Sequence, residues 1–271
     1  MDKTGIYWDR AVVLQYSKQK ISQASIKFKT LVFLLIVVVM TLLDNVSLKN
    51  SIESMNSWDV IFDILDNKNI QLYFFLFFFL SYVFDVCHDK HAPHYIMLRL
   101  RRKTNWLYAK IGSLLALGMV YTLLFTGLVC LLALLFQGYD SSWSQGVSAL
   151  WHGTYAPFVT PVKASGMIFV RYLLGVWLVS ILYLLIYTWS KKHRNTKAML
   201  AVAVVLFANG ILKANFFLQF VPFLGIESSY LAFLTVYADA LSVVFVFNAG
   251  PVAGIALMML LLRLTIKNLE F

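Results

Sequence analysis

The sequence predicts an all-α membrane protein with about six transmembrane helices, and three observations carry that prediction. Of 271 residues, 60% are hydrophobic and only 13% are charged, against ~25% charged in soluble domains. The apolar residues fall in long uninterrupted blocks, and ~20 such residues cross ~30 Å of hydrocarbon as a helix. The basic residues gather in the hydrophilic segments between alternate blocks, as positive-inside topology requires.

The chain reads as one transmembrane domain over residues 1–271. Residues 1–25 precede the first span, and Gly5 to Ser22 is not apolar enough to cross. Trp8, Ala11, Val12 and Tyr16 fall at helical spacing on one side, with Arg10, Gln15 and Lys18 free to face water. That pattern predicts an interfacial helix. The first long apolar run starts near Leu31, too late for a cleaved signal peptide. It should therefore stay as an anchor.

The spans are expected at about 26–43, 70–87, 106–136, 166–190, 198–217 and 250–266. Lys27 and Lys29 snorkel at the start of the first. The second holds the aromatic run Tyr73 to Phe79. The third exceeds one crossing and should tilt or project. The sixth opens at Gly250-Pro251, where Gly250-x-x-x-Gly254 suits close helix packing. Between spans five and six, 218–249 is too apolar for a solvated loop. A re-entrant hairpin entering from the outer face is the preferred reading, with a seventh span as the alternative.

Counting Lys and Arg fixes the expected orientation. Six lie in the N-terminal stretch through Lys29, at the start of the first span, and six run from Lys90 to Lys110. Four lie between spans four and five, and Arg263 and Lys267 close the chain. That side holds 18 of 23, so both termini are expected in the cytoplasm of a cell-membrane protein. Asp44 to Asn69 reads as a polar, acidic outer segment, with Glu53, Asp59, Asp63 and Asp66.

Polar residues inside spans are functional candidates because they are costly there. Asn209 and Lys213 lie one turn apart on span five, and are read as a possible substrate cavity. Arg171 lies near the outer end of span four, and the preferred reading is snorkelling to the surface. Cys87, His88, His91 and His94 form C-H-x-x-H-x-x-H, ligand types that suit zinc. Pro93 interrupts the helix that would align them, so a solvated loop without metal is preferred. Cys87 and Cys130 are not expected to meet. The net charge of +10 follows from topology, and no nucleic-acid module is present. No catalytic motif appears and no cofactor is expected in this chain, so it is not read as an enzyme.

The most informative segment is Asp85 to Lys110, DVCHDKHAPHYIMLRLRRKTNWLYAK. A short loop carrying Pro93 leads into an amphipathic piece, Tyr95 to Arg102, with Ile96 and Leu100 at i and i+4. A basic cluster, Trp106 and Lys110 follow as the third span opens. Positive-inside topology with a Trp anchor explains the charges, but not a short helix between two spans.

In this arrangement the chain resembles the membrane subunit of ABC-2 type exporters. The resemblance covers most of the chain, and its motifs are loose. It implies that the loop between spans two and three is a cytoplasmic coupling helix docking on an ATPase. The implied coupling residues are Tyr95, Ile96, Met97, Arg99, Leu100, Arg101, Arg102 and Lys103. Arg99, Arg101, Arg102 or Lys103 matches the family's basic position, and Lys110 its lysine. The family's acidic-Gly-Thr pattern is absent, with Asp85, Asp89 and histidines in its place. The chain has no G-x-x-x-x-G-K-[ST] loop to hold phosphate, so ATP and Mg are expected on a partner ATPase. A second permease subunit, identical or related, and membrane lipid complete the implied partners. The implied activity is export of an amphipathic peptide, antimicrobial or lipid-like substrate. The alternative is a standalone membrane immunity or sensor protein without ATP coupling.

Overall fold

The computed structural model describes residues 23–51, 55–67, 69–87, 103–144, 160–190, 193–214 and 241–265. Residues 51, 103–105, 209–214 and 241–247 are described through their backbone alone. The expected interfacial helix before residue 23, the loop piece Tyr95 to Arg102, and 218–240 of the expected hairpin lie outside the described residues.

All regular structure among the described residues is helical. In chain order the helices are α1 (Ala24–Ser51), α2 (Ser57–Leu65), a π-helical segment (Ile70–Leu76) running into α3 (Phe77–Cys87), α4 (Lys103–Gln137), α5 (Pro161–Trp189), α6 (Arg194–Ala214) and α7 (Leu241–Thr265). Among the described residues, five stretches are long and apolar enough to cross a membrane: Ala24–Asn50, Ile70–Cys87, Trp106–Gln137, Pro161–Trp189 and Asn248–Thr265. Helix α6, at the expected fifth span, has described side chains only over 194–208, a stretch too short to be counted as a crossing on its own. The helical membrane protein foreseen from composition is therefore present at this coarser level.

Helix α5 is the hub. It packs against α4, α6 and α7, and also reaches α2 and α3. Helix α1 lies against α4, and α2 covers one end of both. A cluster of aromatic rings fills the centre. Phe75 stands 4.8 Å from Tyr121, 4.9 Å from Phe125 and 4.7 Å from Tyr172, ring centre to ring centre. Phe33 of α1 closes the cluster against Tyr121 at 4.5 Å. Such tilted and edge-on pairs add about 0.5–1.5 kcal/mol each beyond area burial. The outward faces stay apolar, with Phe28, Leu31, Leu35 and Leu43 exposed on α1 and Leu131 and Leu135 on α4. In hydrocarbon such faces meet lipid tails at no penalty.

Glycine sets one helix crossing. A Cβ on Gly118 of α4 would stand 2.5 Å from Val176 Cγ1 of α5. The close approach also lets Trp177 Nε1 donate to the Leu115 carbonyl at 3.2 Å.

The structure moves several expected boundaries. Helix α1 continues past the expected end at residue 43 to Ser51. Its 28 residues span ~42 Å, more than the hydrocarbon thickness, so the polar Asp44, Asn45 and Lys49 ride on its projecting end. Helix α5 starts at Pro161 rather than 166. Its extended Thr160 (ψ 148) and a proline at the first turn suit a helix start. Helix α6 starts at Arg194 rather than 198.

The last helix begins at Leu241, not at Gly250, so residues 241–249 of the expected hairpin belong to α7. Pro251 lies inside that helix instead of opening it. Proline removes one backbone bond, and neighbouring groups in membrane proteins offset that loss. The expected outer loop at 44–69 also holds structure, because α2 is buried along almost its whole length.

Candidate functional site

Two layers cap the bundle. One lies at the end where α3 stops and α4 starts, flanking the 88–102 segment. Two of the last four carbonyls of α3 are taken by side chains from other helices. Lys110 Nζ donates to the Val86 carbonyl at 2.9 Å, and Asn195 Nδ2 donates to the Phe84 carbonyl at 3.1 Å. From α1, Lys29 Nζ donates to the Ser81 carbonyl at 3.1 Å and pairs with Asp85 Oδ2 at 2.8 Å.

The chemistry follows from helix geometry. The last four carbonyls of a helix lack internal partners and carry partial negative charge. Lysine and amide donors at this end satisfy them. Lys110 is fully buried, and its amine sits 5.6 Å from the Trp106 ring centre. Trp106 in turn lies 6.4 Å from Tyr187 of α5. Asn195 is oriented by the Tyr183 hydroxyl, which donates to its Oδ1 at 2.6 Å. Ser25 Oγ donates to Asp85 Oδ2 at 3.0 Å, completing the layer.

The other layer is built on α2. Asn56 Oδ1 accepts the Trp58 N–H at 3.0 Å, and Asp59 Oδ2 accepts the Asn56 N–H at 2.7 Å. This reciprocal cap fixes the helix start. The segment after α4 then straps the helix down. Trp58 Nε1 donates to the Asp140 carbonyl at 2.7 Å, Asn56 Nδ2 to the Ser142 carbonyl at 3.0 Å, and Ser144 Oγ to Asp59 Oδ1 at 2.8 Å. Burial raises the Asp59 pKa, while the Asn56 N–H and Ser144 hydroxyl oppose that rise. Asp140, in the strap, is held below the usual carboxylate range by the Ser142 N–H and hydroxyl. On the bundle side, the buried Tyr172 hydroxyl donates to the Leu65 carbonyl at 2.9 Å.

Asp66 ends α2, its N–H donating to the Phe62 carbonyl at 2.9 Å. Its carboxyl is buried, and among the described residues Oδ1 has no hydrogen-bond partner. Burial pushes its pKa well above the usual carboxylate range. The folded state then holds a proton that the unfolded chain releases near pH ~3.9. Stability should fall as pH rises from there toward the raised folded value. Asp66→Asn abolishes this loss. Its melting temperature should match the native protein near pH 4 and exceed it at pH 7 by several degrees, since ~1 kcal/mol moves a protein of this size by ~2–4 °C. Thermal melts in detergent across that range check this, and a pH-independent difference would refute it.

The predicted site residues are only partly placed. Tyr95 to Arg102 lie outside the described residues, as do His88, His91 and His94. Lys103 opens α4, and Asn209 and Lys213 lie one turn apart on α6, each described by backbone alone. Arg171 corrects its expectation, being only 7% exposed. It lies roughly three turns into α5, the hub helix, and so faces protein rather than the membrane surface. Lys29, partly exposed, pairs with Asp85. Neither cysteine forms a disulfide. Among the described residues, no three potential metal ligands gather.

Sequence reasoning missed Asn195 and the α2 layer. The signal for α2 was present, because Asn56 and Asp59 match a capping box and Trp58, Ile61, Phe62 and Leu65 follow helical spacing. No family model, curated protein or solved structure matches the chain.

Proposed function

We propose that the chain is the permease subunit of an ATP-driven ABC-2 type exporter, set in the cell membrane with both termini in the cytoplasm. The observation that supports this reading best is the three-helix hold on the end of α3. The segment 88–102 begins where Lys29, Lys110 and Asn195 engage α3 from α1, α4 and α6. A push on that segment would be shared among four helices instead of fraying one. The 18-to-5 distribution of basic residues supports the same orientation.

In this reading a partner ATPase binds ATP and Mg, and its closure drives the segment carrying Tyr95 to Lys103. A second permease subunit completes the pathway. Asn209 and Lys213 border a route for an amphipathic peptide, antimicrobial or lipid-like substrate. The chain performs no chemistry on that substrate. Tagged protein purified in mild detergent from its own cell membranes should bring down an ATPase subunit and hydrolyse Mg-ATP. Isolation alone, without hydrolysis, would overturn the proposal in favour of a standalone immunity or sensor protein.

A further inference from the structure

We infer that Ile70–Leu76 is a register switch, passing one residue to the elbow at Asp66, Asn67 and Asn69 and back, with the Tyr121 hydroxyl as its latch. The segment is π-helical for seven residues and then becomes α-helical at Phe77. A π turn carries about one residue more than the α turn it replaces, so side chains on its two sides are out of phase by ~100°. π geometry is rare and often marks functional positions. It persists only where its surroundings hold it.

What holds it here is specific. The buried Tyr121 hydroxyl donates to the Phe75 carbonyl at 3.0 Å, inside the π segment. The Phe75 ring packs on Tyr121 and Tyr172. At the exit, the Phe77 N–H turns back to the Phe74 carbonyl, a tight turn that returns the chain to α geometry. Below that point α3 is fixed by Lys29, Lys110 and Asn195. The displaced residue therefore goes to the elbow.

The elbow has the properties of a reservoir. Asn67 Oδ1 accepts the N–H groups of Asn69 at 3.0 Å and Ile70 at 3.4 Å, a side-chain cap that can re-form one residue along. Among the described residues the buried Asp66 Oδ1 has no partner, and an orphaned buried polar atom stores free energy that a rearrangement recovers. With α3 held, relaxation to α geometry turns the segment progressively, least at Leu76 and by ~100° in total at Ile70, and shifts the Phe75 carbonyl against the Tyr121 hydroxyl. The device needs no partner, so it is tested apart from the transport reading.

The test uses full-length protein in lipid nanodiscs, with Cys87 and Cys130 changed to Ser. Spin labels go on cysteines replacing the exposed Tyr73 and Leu131. The native protein should give one dominant distance. Tyr121→Phe should add a second population, shifted by up to roughly 5 Å, the sweep of a side-chain tip through about half of that rotation. Deleting Ile70 removes the surplus residue and should give the second distance alone. A Tyr121→Phe distribution identical to the native one would overturn the inference. If that variant does not fold, hydrogen exchange on the native protein decides. Amides of Ile70–Leu76 should exchange about tenfold faster than those of Phe77–Val83, and equal protection would overturn the inference as well.

Discussion

Under the proposed coupling to a partner ATPase, serine at Ile96 and Leu100 together is expected to uncouple or release that ATPase while the helices still insert. The two residues are four positions apart in the sequence, with Tyr95 and Met97 next to Ile96, and in a helix they would share one face. Helix-in-groove recognition uses anchors at this spacing. Truncating a buried anchor costs ~2 kcal/mol or more, so the pair should weaken docking roughly a thousandfold. Arg99, Arg101 and Arg102 make a poorer test, because reversing their charge also disturbs topology. The measurement is pull-down of the ATPase by the double variant, with membrane insertion as control. Unchanged binding and transport would leave the segment as a positive-inside anchor and remove the main support for ATP coupling.

The second large effect is expected at Gly118. Alanine there places a Cβ 2.5 Å from Val176 Cγ1, well inside van der Waals contact. Val176 is fully buried and stiff at χ1, so it cannot turn aside without strain. Overpacking of this kind costs ~1–3 kcal/mol, and leucine should exceed that by forcing α4 and α5 apart. Gly112 and Gly127 have open space where a Cβ would go. Alanine at either should be neutral or slightly stabilising, because it favours the helix by up to ~1 kcal/mol. Thermal melts of the three alanine variants check this order. Val176→Ala combined with Gly118→Ala should recover most of the loss, a non-additivity expected of touching residues. Equal melting temperatures for the three glycine variants would contradict the crossing.

The span at 70–87 was legible because an apolar block bounded by polar residues has one economical placement in a bilayer. Where polar residues ride on a helix, the reading stopped short. Asp44 and Asn45 resemble the start of a loop, yet both ride on α1, where Asn45 Oδ1 accepts from Gln137 Nε2 at 2.6 Å. The acidic count between residues 44 and 69 hid α2, since Asp59 serves a cap and Asp66 is buried. Gly250-Pro251 looked like a helix start because proline favours the first turn, a preference that burial in a bundle overrides. The π segment had no signal at all, because IQLYFFL suits either helical register. At the candidate coupling site, the sequence supplied Lys110. Its acceptor on Val86 and the matching donor Asn195 come from tertiary packing, which no spacing along the chain encodes.

The hold on α3 also dictates an order of synthesis. Phe84 and its donor Asn195 are 111 residues apart, and at ~5–20 residues per second a ribosome needs roughly 6–20 s to cover that distance. Until then the Phe84 carbonyl has only water or a lipid headgroup to meet, which keeps this end of α3 at the interface. Lys110 follows Val86 by only 24 residues and reaches it within a few seconds. The nascent chain thus passes through a stage in which the first three apolar segments are joined and a binding place for α6 stands open. A chain truncated before Arg194 would lack the Asn195 donor and leave the Phe84 carbonyl without that bond.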